Sequence, residues 1–507
     1  MAPAAVTGKG AGYCVRAPVV AAAFTVCAGT AALWWWRRRR GRAAALLRSY
    51  LDRDLSADVR AVCAAYDIDE GNGFLPERCL ERLPVAFEAW EALAAELPRL
   101  NRTGTLRGAL DQLPELDATL LLVPEELRRA CLLLGMFAHA YVHGASVPWH
   151  VLGDGSGTPM AVATVEADVM LGSRDVPKQL ARPWFEVCRR LEMPPVLTAA
   201  PVDLWNWRKQ DPSGPHIPGN LEQTISLTGT ATERNFHMVP CAMHAAAAQV
   251  VPKLFLADRL LLAAGSGAVA TSAAAARYHL AVLLNELRDV LREWKAIFGC
   301  VAHGVDRDTF YDVYRPLLDG FYPEGVVLRG VTLAAVAAAN AGAKTPFLDA
   351  ALEEDTGSGV GVRVRSKGPS AGQSTSVLLF DIFLGVEHTS LGIHFQEEML
   401  GYMPRAHRCM VLDFREKILA SGSARQIALA QRELPGGDDL AMAYDGCVAA
   451  LRDLRSFHLA TVSRYLTRTD TGTGASTWRK LLEATLEGTK GASLTAGCPL
   501  SRCGSGR

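Results

Sequence analysis

From about residue 43 onward, apolar residues recur at spacings of three and four through stretches rich in Ala, Leu, Glu and Arg. That period is one face of a helix, whereas the period-two alternation of strands is rare, so the pattern confines the chain to the all-α class. Clusters of Pro and Gly punctuate it and predict helices near 43–65, 125–145, 178–192, 236–260, 275–300, 307–320, 374–387, 403–419, 438–468 and 477–489. Residues 209–222, 263–274 and 340–373 read as loops, being interrupted by Pro, Gly and Ser, and no internal repeat is visible. The expected division is an N-terminal segment (1–42), a small helical domain (43–226), a large helical domain (227–490) and a disordered tail (491–507).

The net charge of zero conceals an asymmetry. Before Asp52 there are eight basic residues and no acidic one, which leaves 45 basic against 53 acidic groups in the remaining 456 residues. A mildly acidic body has no electrostatic footprint for nucleic acid, so no nucleic-acid partner is expected. The basic stretch reads as an address or anchor. From Ala17 to Trp36 twenty residues pass without a charge, ending in Trp34-Trp35-Trp36 and followed by Arg37 to Arg40. Such a run is long enough to span a bilayer core of about 30 Å, with tryptophans at the interface and arginines on the cytoplasmic side. Residues 17–36 therefore predict a membrane tether that leaves the body facing the cytoplasm. A cleaved signal or organellar transit peptide is the competing reading.

Twelve cysteines are scattered without a C-x-x-C pair, which excludes a zinc ribbon, a thioredoxin-type site and c-type haem attachment, and predicts reduced, mostly buried thiols. There is no G-x-x-x-x-G-K-[ST], H-E-x-x-H or G-x-S-x-G, and no G-x-G-x-x-G opening a helix. His139 and His143 have metal-compatible spacing on a helix but no third ligand, so they read as helix-face residues. His237 and His244 are assigned to helix packing.

One histidine stands apart. Cys447, Leu451, Leu454, His458, Val462 and Tyr465 follow one another at steps of three and four and share one helix face. The pattern alone leaves two readings for His458, a hydrogen-bonded core residue or a ligand. An imidazole offered from a buried helix face to an apolar cavity is also what a haem iron requires.

The stretch Leu451-Arg-Asp-Leu-Arg-Ser-Phe-His458 resembles the proximal-ligand helix of the indoleamine 2,3-dioxygenase family, and five further blocks are similar to the family in its own order. They are Tyr66-Asp-Ile-Asp-Glu-Gly-Asn-Gly-Phe-Leu-Pro76; Pro194-Pro195-Val-Leu with Asn206-Trp-Arg-Lys-Gln-Asp-Pro212; Phe310-Tyr-Asp-Val-Tyr-Arg315; Ser370-Ala-Gly-Gln-Ser374 with Asp381-Ile-Phe-Leu-Gly385; and Tyr402-Met-Pro-Arg-Ala-His-Arg408. The resemblance covers about 60–489. It implies an all-helical, two-domain protein holding one haem b in its larger domain. The reaction it implies is the insertion of O₂ across the indole 2,3-bond of L-tryptophan to give N-formylkynurenine, the first step of the kynurenine pathway. The implied partners are L-tryptophan or a related indoleamine, O₂, and an electron donor that keeps the iron ferrous.

By the same resemblance His458 is the proximal iron ligand, with Asp381 and Arg455 beside it. Arg315 is the clamp for the substrate carboxylate, a role that suits the guanidinium fork. Phe310 and Phe236 are pocket aromatics, Ser370 and Ala371 border the pocket, and Gly472-Thr473-Gly474 is a lid in which Thr473 bonds the substrate's ammonium or carboxylate. Four departures stand out: Pro240 in place of a hydroxyl residue, Ala199 in place of an aromatic, Pro369 in place of a glycine, and Ala475-Ser476 at the end of the lid. These departures leave open a haem protein impaired in catalysis that binds or senses O₂, and a tethered helical interaction protein without haem is a third reading.

Overall fold

The computed structural model describes residues 56–152, 173–265, 270–341, 353–355, 360–434 and 437–495. The expected tether at 17–36 lies outside them, and among the described residues no helix is long and apolar enough to cross a membrane. The longer helices are α1 (Ser56–Tyr66), α2 (Glu88–Arg102), α3 (Pro124–His143), α4 (Lys178–Leu191), α5 (Ala231–Ala246) and α6 (Ala270–Phe298). They continue with α7 (Thr375–Leu384), α8 (Ser390–Leu400), α9 (Arg405–Ser421), α10 (Gly437–Tyr465) and α11 (Trp478–Ala492). The all-α class is borne out.

Local chemistry sets the helix ends. Pro124 begins α3, and the Glu126 side chain reaches back to the backbone N–H groups of Leu122 and Val123, which the first turn leaves without partners. Thr230 caps α5 by accepting from the Glu233 N–H. Gly385 ends α7 at φ +68°, and a Cβ there would meet Ser423 Oγ at 2.5 Å, so both the turn and the close approach require glycine.

The core is built around α6 and α10, two 29-residue helices that pack along each other. Leu280, Leu284, Leu287, Leu291 and Trp294 form the buried stripe of α6, and Leu440, Tyr444, Cys447, Leu451 and Leu454 form that of α10. Burying each such leucine contributes roughly 1.5–3 kcal/mol. Farther from this pair, Arg129 of α3 meets Glu91 of α2 through two hydrogen bonds, at 3.0 and 2.7 Å, with both side chains buried.

Several expectations need correction. The helix expected over 236–260 is broken: α5 stops at Ala246, and Pro252 opens a new short helix over Val251–Leu256. The loop expected over 340–373 contains strands. A four-stranded sheet has the order β1 (Asp175–Val176), β4 (Val326–Arg329), β6 (Gly361–Val364), β5 (Glu353–Asp355), and β2 (Arg208–Lys209) pairs with β3 (Leu221–Glu222). β1 runs parallel to β4, while β6 is antiparallel to both β4 and β5. Helix α2, which carries Pro98 in its interior, and helix α8 were not among the expected helices. Past the expected domain end at 490, α11 runs on to Ala492, and Asp445 Oδ1 accepts from Leu494 N at 2.8 Å. The described cysteines are free thiols, with Cys63, Cys131, Cys188, Cys241 and Cys447 buried.

Candidate active site

The apolar stripe of α10 leaves the packed core after Leu454, and from there its face lines a cavity of about 440 Å³. That size falls within the roughly 300–1,000 Å³ usual for small-molecule and cofactor sites. Every sequence-predicted site residue lines this one cavity. His458 and Arg455 come from α10, Asp381 from α7 and Phe236 from α5; Phe310 and Arg315 come from the segment before β4. Ser370, Ala371, Gly472, Thr473 and Gly474 come from two loops, and the departures Ala199, Pro240 and Pro369 line it as well.

Among the described residues neither ring nitrogen of His458 has a hydrogen-bond partner; the ring packs edge-on against Phe298, with centroids 5.3 Å apart. Burial, and then the neighbouring Arg455 charge, push its pKa down to about 4. The imidazole is therefore neutral at physiological pH with a free nitrogen facing a largely apolar cavity, which is the donor an axial haem site needs. No group of three or more His, Cys, Asp or Glu among the described residues could hold a metal ion.

Phe310 and Arg315 are carried by a π-helical segment, Thr309–Tyr314, and the residue that follows it. Such wide turns are frequent at functional sites. The rings of Phe236 and Phe310 lie 4.8 Å apart at 36° and make an aromatic wall. Arg315 donates through Nη2 to Thr471 O at 2.7 Å and lies 3.6 Å from Asp319 through Nη1, while its buried Nε has no partner. Burial pushes the Asp319 carboxyl up against the opposing pull of Arg315.

The expected lid lies against the Pro369–Ser370 segment. Thr473 Oγ1 donates to Pro369 O at 2.5 Å and Thr473 O accepts from Gly368 N at 3.1 Å, so this hydroxyl is committed to the backbone. A Cβ on Gly474 would come within 3.2 Å of Ser370 Cβ, which accounts for glycine there. Ala475, one of the departures, takes φ +50° and closes the turn with an N–H to Gly472 O at 2.9 Å.

The sequence model for indoleamine 2,3-dioxygenase matches residues 62–495, most of the chain and all of this cavity. The chain belongs to the indoleamine 2,3-dioxygenase family. It is 30% identical over 423 residues to mouse indoleamine 2,3-dioxygenase 2, covering 82% of this chain and 86% of that protein. Its identity to human indoleamine 2,3-dioxygenase 2 is 29% over 407 residues, covering 79% and 83%. A 6-hydroxytryptophan 2,3-dioxygenase of Fusarium equiseti is 27% identical over 410 residues, covering 80% and 86%. As a member of the family the chain is an oxidoreductase of the dioxygenase class.

In this indoleamine 2,3-dioxygenase family member, sequence reasoning missed three residues of the cavity region. His388 Nε2 donates to Asp381 Oδ2 at 2.9 Å, completing a buried group with Arg455. Burial alone would raise the Asp381 carboxyl, but the Arg455 charge and the His388 hydrogen bond outweigh it and hold the carboxyl below its usual range. Asp203 and Tyr314 flank His237, which lines the cavity, so the packing role expected of His237 is incomplete. No motif marks His388 or Asp203, and nothing in the Phe310–Arg315 block singles out its Tyr314; only the tertiary fold joins these residues. His139 conforms to its expectation, with Nδ1 donating to Leu317 O and Nε2 accepting from Leu197 N, both at 2.9 Å.

Proposed function

We propose that the chain is a haem-dependent dioxygenase that inserts O₂ across the indole 2,3-bond of L-tryptophan, giving N-formylkynurenine. The observation that carries this reading is the convergence of an unpartnered imidazole, an aromatic pair and a guanidinium on one cavity. His458 would hold haem b, with the Asp381–Arg455–His388 group fixing the helix that bears it. Bound there and kept ferrous by an external electron donor, the haem supplies the oxygen chemistry.

The chain's own residues bind and orient. Arg315 receives the substrate carboxylate, its Nε being a buried donor without a partner. Phe236 and Phe310 hold the indole plane, and the 471–474 loop with Ser370 and Ala371 shuts water from the cavity. The same proposal keeps a small domain over 43–226 and a large one over 227–490. Of the residues named at the site, Ala199 and Asp203 come from the first domain.

Pro240 and Ala199 favour a second reading, a haem protein that binds or senses O₂ without turnover, because neither supplies a side-chain donor to the cavity. The test is product formation by haem-loaded protein given L-tryptophan and O₂. N-Formylkynurenine supports the dioxygenase; full haem loading and O₂ binding without product support the second reading.

A further inference from the structure

A carboxylate stands beside the guanidinium that lines the cavity. Asp319, one helical turn after Arg315, holds Oδ1 3.6 Å from Nη1. That separation exceeds the roughly 2.7–2.9 Å of a charge-assisted hydrogen bond, so the two charges face each other without bonding. The Asp319 side chain has no hydrogen-bond partner among the described residues and is 44% exposed, against 12% for Arg315. Its oxygens are therefore open to a ligand that reaches the guanidinium. The backbone beside it is fixed: Gly320 packs so closely on the 366–368 segment that a Cβ there would meet Ser366 O at 2.3 Å.

An amino acid carries its ammonium on the same carbon as its carboxylate, so a carboxylate held by Arg315 brings the ammonium beside the guanidinium. Two neighbouring cations repel, and the ammonium needs an acceptor at that place. Thr473, to which the resemblance assigns the ammonium or carboxylate, commits its proton to Pro369 O and its carbonyl to Gly368 N. Thr471 O already accepts from Arg315 Nη2. Of the acids that line the cavity, Asp381 is engaged by Arg455 and His388, and Asp203 by His237. Among the described residues Asp319 is the acid paired with Arg315. The pair is a dipole that a zwitterion meets head to tail, guanidinium to carboxylate and carboxylate to ammonium. Site and ligand are then each neutral, and binding buries no net charge.

We propose that Asp319 is a specificity-determining residue that accepts from the α-ammonium of the substrate, so that Arg315 and Asp319 together select amino acids over indole acids that lack the amine. The proposal rests on the dioxygenase reading for the substrate carboxylate at Arg315. A hydrogen bond between charged groups is worth about 10- to 100-fold. Because Asp319 is half exposed, its effect belongs at the lower end, about tenfold.

The test measures dissociation constants by calorimetry for L-tryptophan and for indole-3-propionate, which keeps the carboxylate and lacks the ammonium. The proteins are haem-loaded wild type, Asp319→Asn and Asp203→Asn. The wild type should bind L-tryptophan about tenfold tighter than indole-3-propionate. In Asp319→Asn the ratio should collapse towards one, with L-tryptophan weakened while indole-3-propionate holds or tightens, because the acid opposing its carboxylate is gone. Asp203→Asn should keep the wild-type ratio. A wild-type ratio near one overturns the proposal without recourse to a variant, and leaves the dioxygenase reading intact. An unchanged ratio in Asp319→Asn overturns it too: both ligands tightening alike would make the acid a mere competitor for Arg315, and both weakening alike a mere support for it. A ratio that collapses in Asp203→Asn instead overturns it by giving the ammonium to Asp203. If neither ligand binds the wild-type protein, the carboxylate clamp and the dioxygenase reading fall, and this proposal falls with them.

Discussion

Arg455 sets one guanidinium nitrogen 2.7 Å from both carboxylate oxygens of Asp381, one helical turn before His458 on the same helix. The pair is buried and braced on each side, by His388 on the carboxylate and Thr489 on the guanidinium. Removing the carboxylate leaves a buried cation uncompensated, which costs about 3–5 kcal/mol. Asp381→Ala should therefore lower unfolding free energy by that amount in urea titration. A loss below about 1 kcal/mol would show the pair to be structurally idle. Because the folded carboxyl is held below its usual range, its contribution is present above the unfolded value near 4 and is lost as pH falls through the folded one.

Arg315→Ser should keep haem content and the fold while raising KM for L-tryptophan. Losing a buried charge partner for the carboxylate costs about 2 kcal/mol or more, or roughly 30-fold in kcat/KM. Steady-state kinetics with L-tryptophan and with indole, which has no carboxylate, separate the causes. The variant should lose far more with the amino acid than with indole, and equal losses would contradict the clamp.

Buried histidines make the protein acid-sensitive. Burial, and then the charge of His143, lowers His139 to about 3, while burial lowers His143, His244 and His407 to about 4 each. Unfolded histidines titrate near 6.5, so between that pH and about 4 the unfolded chain takes up protons that the folded chain refuses. Their contribution to stability is complete above about pH 6.5 and declines below it. Melting temperature measured from pH 7.5 to 5 should fall steadily, in a range still above most carboxylate titrations. A flat profile would place these histidines in contact with water.

His458→Ala should abolish haem binding with helix content unchanged, because no other described residue offers an unpartnered imidazole from this face of α10. Absorption spectra of the reconstituted variant test this. A wild-type ferrous spectrum would remove His458 from the ligand role.

Much of the core and the site was legible because long helices repeat their period. The stripe from Cys447 to Tyr465 could be followed residue by residue, and it emerged at the cavity where His458 stands. The blocks around Phe310, Ser370 and Asp381 were readable as local patterns, and the fold gathers them on one cavity. What escaped was of two kinds. Strands of two to four residues are too short to show alternation. The Asp203–His237–Tyr314 chain and the His388–Asp381 bond are purely tertiary, joining residues from separate elements that no spacing rule connects.

The central claim is that this cavity turns over tryptophan. The most direct measurement is single-turnover product analysis of purified ferrous, haem-loaded protein mixed with L-tryptophan and ¹⁸O₂. The account predicts N-formylkynurenine carrying both labelled oxygen atoms, with product formation at sub-saturating L-tryptophan slowed about 30-fold in Arg315→Ser and haem lost in His458→Ala. Full haem loading and O₂ binding with no oxygenated indole product would contradict it.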